Sequence, residues 1–159
     1  MSLKGSLHVS PVFKWLWASC VAGKHKFFFW LFLKDRLNTR NILRKKNRIL
    51  DDYNCVLCQQ GLEETLEHLF ISCPFSIQCW QALGISWDPS LALTEMIMQA
   101  RNQFGLAIFR EVAIVAAWCI WTHMNSIIFD GASLSFDRWR QAFKSEFGLI
   151  LHRAKPALK

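Results

Sequence analysis

Four residues in the second quarter of the chain have the types and spacing of a metal centre: Cys55-x2-Cys58-x9-His68-x4-Cys73. Zinc takes four sulfur or nitrogen donors at the corners of a tetrahedron, with sulfur at about 2.3 Å and imidazole nitrogen at about 2.0 Å. Two cysteines separated by two residues can turn both sulfurs to one point through a tight knuckle, and the second pair must close from the other side. Four protein donors leave no position for water, so one such ion would be structural. Three thiolates and a neutral imidazole would give the centre a net charge of −1, close to Glu63, Glu64 and Glu67. Cys20, Cys79 and Cys119 have no such spacing and read as small buried apolar side chains.

The elements around these residues must bring them together. Thr65 can cap a helix whose first turns hold Leu66, Glu67, His68, Leu69 and Phe70. On a regular helix, positions 68 and 73 lie about 140° apart, so both cannot face one ion. Pro74 resolves this, because the residue before a proline avoids the α region, and Cys73 can swing back toward His68. Leu69 and Phe70 should then anchor the site in the core. Ser10-Pro11 predicts a first helix carrying Phe13, Leu16, Trp17 and Cys20, ended by Gly23. Lys24–Leu37 predicts a second helix, apolar all round at its centre, and Asn38-Thr39 caps a short third one. Pro74 opens a helix stopped by Gly84, Ser90 caps another, and Ile108–Phe129 forms the central helix of the second half. Ser135 caps a last helix with Phe136, Trp139, Phe143, Phe147, Ile150 and Leu151 along a stripe. No stretch alternates long enough for a strand beyond a short hairpin around Cys55–Cys58. The fold class is therefore all-α: a small helical domain with one CCHC zinc site.

Bulk composition agrees. The chain has 159 residues, 52% of them apolar and 14% aromatic, with seven glycines and four prolines. A chain of this length can bury a real core. The net charge of +7 is unevenly spread. Residues 1–50 carry about +10, residues 51–100 about −7 with no Lys or Arg, and residues 101–159 about +4. The first third should therefore meet an anionic partner or dock on the second. The start is polar and lacks the apolar run of a secretory signal, which points to an intracellular place, nucleus or cytoplasm, where paired cysteines favour metal over disulfides. Residues 1–34, with five lysines and no acid, leave mitochondrial targeting open. The apolar runs Phe27–Leu33 and Val112–Thr122 are shorter than the roughly 20 residues a bilayer requires.

At this point the residues resemble a known family. Trp17, Lys26-Phe27-Phe28-Phe29-Trp30-Leu31, Asp35-Arg36-Leu37-Asn38-Thr39, Leu43, Cys55-Val56-Leu57-Cys58, Glu64, Glu67-His68-Leu69-Phe70, Cys73-Pro74 and Trp80 are similar to the zinc-binding domain that follows the reverse transcriptase in plant LINE-type retrotransposons. Trp118-Cys119-Ile120-Trp121, Asn125 and Ile128-Phe129 look like the helical region that often follows it. The resemblance implies a zinc-binding domain over 1–89 with a helical region, 90–159, packed on it. The polymerase aspartates and the ribonuclease H domain of such elements are absent, so the chain reads as a stand-alone fragment.

Two functions follow as expectations. In the first, Lys24, Lys26, Lys34, Arg36, Arg40, Arg44, Lys45, Lys46 and Arg48 bind the nucleic-acid backbone. Arg36, Arg40, Arg44 and Arg48 would share one face of a continuous helix, and a break near Thr39 would divide them. The acidic metal segment would serve only as scaffold. In the second, zinc is again structural, and an aromatic or acidic surface takes a protein partner or a second copy of the chain. No Walker loop, HExxH or nucleophile elbow is present, so no enzyme activity, small-molecule substrate or membrane role is expected.

Overall fold

The computed structural model describes residues 11–158, with side chains over 12–153. Seven α-helices occur among them: α1 Pro11–Trp17, α2 Gly23–Leu33, α3 Arg40–Lys45, α4 Pro74–Ala82, α5 Leu93–Phe104, α6 Phe109–Asp130 and α7 Phe136–Leu158. A single wide π-type turn, His68–Ser72, precedes α4. No strand forms among the described residues. The expected hairpin is reduced to one antiparallel bridge, Asn54 with Glu63, flanking the Cys55–Cys58 knuckle.

The central helix is α6. Gly131, in the left-handed conformation at φ 67°, ends it, as the sequence indicates. It packs on α7 and α2, with further contacts to α4 and α5. The helix is longer than the Val112–Thr122 run, and by length and composition alone it could cross a membrane. Here its apolar side chains form the core: Phe109, Ala113, Ile114, Val115, Ala116, Ala117, Ile120 and Met124 are nearly or fully buried. Its buried Glu111 accepts hydrogen bonds from Ser19 Oγ at 2.6 Å and from Arg110 Nε at 2.7 Å. Arg110 also donates to the Trp15 carbonyl, which ties α1 to α6.

The last helix follows its aromatic stripe. Phe136, Trp139, Phe143 and Phe147 stack in series with centroids 5.2–5.7 Å apart. Ser135 accepts the Arg138 N–H, the expected cap. Glu146 meets Lys24 Nζ at 3.6 Å and His25 Nε2 at 3.4 Å, joining α7 to α2. Burial lowers the pKa of His25 from its ordinary value, against the opposing pull of Glu146.

Several element ends differ from the sequence expectation. The proposed Ser10 cap lies outside the described residues. Helix α1 stops at Trp17, so Cys20 lies in the turn before α2. Helix α2 ends at Leu33 rather than Leu37, because Asp35 turns left-handed at φ 52° and Arg36 N–H closes back on the Leu31 carbonyl at 2.8 Å. The same closure ends α3: Asn47 has φ 60° and Arg48 N–H reaches the Leu43 carbonyl at 2.9 Å. These are Schellman-type stops with polar residues where glycine is usual. Ser90 does not cap α5; it donates instead to Asp88 in the preceding turn.

Candidate metal centre

Each of the four donors is placed by a separate local device. Cys55 and Cys58 sit on the knuckle, where the Leu57 N–H points at Cys55 Sγ at 3.4 Å. The knuckle is closed by the Cys55 N–H on the Leu62 carbonyl and the Glu64 N–H on the Tyr53 carbonyl. Thr65 Oγ1 accepts the His68 N–H at 3.0 Å, so the cap expected there is formed. Cys73 is extended, with φ −64° and ψ 132°, as its place before Pro74 requires.

The wide turn at 68–72 was not legible in the sequence. Cys73 N–H bonds to the His68 carbonyl at 2.7 Å, an i to i+5 link. That link widens the helix and places residues 68 and 73 on one side, where a regular turn would separate them. The wider winding leaves carbonyls without their usual helical partners. Trp80 Nε1 donates to the Phe70 carbonyl at 2.7 Å, and Ser76 Oγ donates to that of Leu69. Leu69 and Phe70 are fully buried, as expected. The Phe70 ring meets Phe28, Phe32 and Trp121.

The donor atoms of Cys55, Cys58, His68 and Cys73 all lie within 4.8 Å of one another. Cys55 Sγ is 3.9 Å from Cys73 Sγ, and Cys58 Sγ is 3.3 Å from His68 Nε2. A tetrahedral zinc centre requires about 3.8 Å between sulfurs and about 3.5 Å between sulfur and nitrogen. The donor set therefore fits such an ion, with Nε2 as the histidine donor. Cys73 is also prepared for a thiolate. The Cys55 thiol donates to it, and the Phe75 and Ser76 N–H groups at the start of α4 point at it, holding it below the usual thiol range. The shared proton on Cys55, together with burial, pushes the Cys55 thiol up. Metal would replace that proton.

The remaining cysteines stay outside the site. Burial pushes Cys79 up and Cys119 up to about 12, and Cys20 is raised mainly by burial with help from Glu111. No other cluster of metal-ligating side chains occurs among the described residues.

The nine basic residues divide into distinct groups. Arg40 and Arg44 dock on the metal segment. Arg40 NH1 donates to the Asp52 and Asn54 carbonyls at 3.0 and 2.9 Å, with the Asp52 carboxylate at 4.0 Å. Arg44 pairs with Glu63 at 3.2 Å and lies over the Tyr53 ring. Lys24 pairs with Glu146, Lys26 donates to the Trp17 carbonyl, Lys34 lies over the Phe13 ring, and Lys46 donates to Asn38 Oδ1. Arg36, Lys45 and Arg48 are exposed and have no acidic partner among the described residues. The single arginine face does not form: only Arg40 and Arg44 share a helix, because both Schellman-type stops interrupt the chain.

Sequence reasoning gave no role to Glu64, which proves to be structural glue. It is 1% exposed, and its carboxylate accepts the Arg40 N–H at 2.9 Å, capping α3 from the metal segment. Burial raises its pKa, against that bond. Thr39 was the expected cap, but its hydroxyl turns to Asn41 Oδ1. The sequence signals for Glu64 were its place among the residues that carry the family resemblance and an acid in a segment free of Lys and Arg.

Fold and site together define a mostly helical protein with one CCHC group able to hold a metal ion. Residues 2–80 match the family described as zinc-binding in reverse transcriptase, and this part of the chain belongs to it. No curated protein and no solved structure matches the chain.

Proposed function

We propose that the chain is a non-catalytic module, built on one structural zinc ion, that binds nucleic acid through backbone phosphates. One observation carries this reading. Arg40, Arg44 and Glu64 fix α3 to the metal segment, and Arg36, Lys45 and Arg48 stand around that fixed helix without acidic partners among the described residues. Unpaired surface cations in a defined arrangement suit phosphate. In this reading zinc orders the segment on which the cationic surface rests, and residues 90–159 buttress the domain at 1–89. The retrotransposon ancestry and a nuclear or cytoplasmic place belong to the same proposal.

The test is a salt titration of binding to labelled nucleic acid. Reversing three charges, in Arg36→Glu/Lys45→Glu/Arg48→Glu, should abolish micromolar binding and flatten its salt dependence while leaving metal content and melting temperature unchanged. Equal binding and an equal salt slope in parent and variant would sink the reading.

A second reading has its own observation. Ile49 is 95% exposed and Phe129 76% exposed. Phe129 borders a groove lined by Leu43, Leu50, Met124 and Ile128, with Asp51 and Asp52 also in its wall. A protein partner with apolar and basic side chains, or a second copy of the chain, fits that surface.

A further inference from the structure

Helices α2 and α6 enclose a groove of about 330 Å³. Phe28, Leu31 and Leu37 contribute to its walls, together with Lys24, Phe27, Arg36, Asn38, Trp118 and Trp121. No acid lines it. Phe27 is 58% exposed, an unusual position for a phenylalanine, and its ring stacks on Trp30 at 6.1 Å and 22°. Trp118 is half-buried and carries the Lys24 ammonium 5.5 Å from its ring centre. Arg36, at the other side of the groove, has no acidic partner among the described residues. Presented aromatic rings beside an unpaired cation form the combination that holds unpaired bases: rings stack on base faces and the cation meets a flanking phosphate.

We propose that this groove binds a single-stranded nucleic acid, with a base stacked on Phe27 and an adjoining phosphate held by Arg36. The proposal rests on the nucleic-acid reading above and deepens it by naming the strand state. A duplex keeps its base faces covered by neighbouring pairs, so it can offer the groove only phosphate. The site is also short. Beyond Asn38, which borders both grooves, the neighbouring groove is lined by Asp51, Asp52 and Glu64, and its one arginine, Arg40, is spent on carbonyls. Phosphate is unwelcome there, so the strand ends or turns away at Asn38.

The experiment uses the full, metal-loaded chain with labelled oligo-deoxythymidylate and a duplex of equal length at fixed salt. Binding to the single strand should be at least about ten-fold tighter. Phe27→Leu, which keeps apolar area but removes the ring, should weaken single-strand binding about ten-fold, within the range for one base stacked on one ring. Duplex binding should not change, and Phe27→Tyr should restore the single-strand affinity. Because Phe27 is exposed, these variants should keep their metal and melting temperature. Equal affinity for both nucleic acids, unmoved by Phe27→Leu but lost on reversing Arg36, Lys45 and Arg48, would overturn the groove and leave the phosphate reading standing. No binding to either nucleic acid would overturn both.

Discussion

Replacing Cys58 by serine separates metal coordination from packing more cleanly than any other change at the site. The Cys58 side chain is half-buried, and its sulfur approaches His68 Nε2 at 3.3 Å. The near-isosteric hydroxyl should therefore cost less than about 1 kcal/mol in the metal-free protein. Its effect on metal is larger. Losing an outer partner alone costs metal sites about 10- to 100-fold in affinity. Losing one of four donors should cost about a thousand-fold, which removes about 4 kcal/mol of metal-linked stability under saturating conditions. At this chain length each kcal/mol moves the melting temperature by about 2–4 °C, so the fall should be about 8–16 °C. The assay is metal content by elemental analysis beside thermal unfolding, with and without a chelator. In chelator, parent and variant should melt within a few degrees of each other. Cys79→Ser is the control: Cys79 is fully buried but outside the donor set, so it should lose stability and keep its metal. Unchanged metal content and melting temperature in Cys58→Ser would refute the coordination. Equal metal loss in Cys79→Ser would show that general unfolding, not ligand removal, is being measured.

Arg40→Ala should destabilise the folded, metal-loaded chain by about 1 kcal/mol in urea unfolding, because it removes the hydrogen bonds to the Asp52 and Asn54 carbonyls. Both bonds leave one nitrogen, NH1, and a lysine ammonium carries three donors, so Arg40→Lys should recover much of this, and no recovery would contradict the geometry. His123 provides a pH test. Burial, reinforced by Arg138, lowers it to about 4, and its Nε2 accepts the Ser135 N–H. The unfolded imidazole takes a proton near 6.5, before the folded one does, so this contribution is complete above about pH 6.5 and is lost as pH falls toward 4. It is worth up to about 3 kcal/mol. The stability difference between parent and the non-titrating His123→Gln should therefore be flat above pH 6.5 and shift against the parent below it. A constant difference from pH 7 to pH 5 would contradict a buried neutral imidazole.

The donor set and its elements were legible because they rest on local rules. Thr65 caps, Pro74 forces Cys73 out of the helix, and the periodic apolar runs give α6 and α7. What the sequence hid depends on long-range or compensated geometry. The i to i+5 bond at 68–73 needs Trp80 and Ser76 to meet the carbonyls it frees, and neither residue advertises that duty. Asp35 and Asn47 in left-handed turns replace the glycines that usually signal a stop, so the sequence left open whether the arginine ladder breaks near Thr39 and did not show the second break before Arg48. The basic segment was read as either ligand-facing or docked on the acidic segment. Arg40 and Arg44 dock there, whereas Arg36, Lys45 and Arg48 do not, and residue type alone cannot make that division.

The wide turn also sets how the segment tolerates changes of length. Between Cys58 and the Asn54–Glu63 bridge, residues 59–62 are exposed, and extra residues there would lengthen a surface loop at a small entropic cost. Between His68 and Cys73 no such freedom exists. Removing one residue would restore the ordinary winding, rotate one donor away from the other, and withdraw the carbonyls that Trp80 and Ser76 now serve. Of the two gaps that separate the donors around this turn, the longer is therefore an elastic spacer and the shorter a fixed gauge.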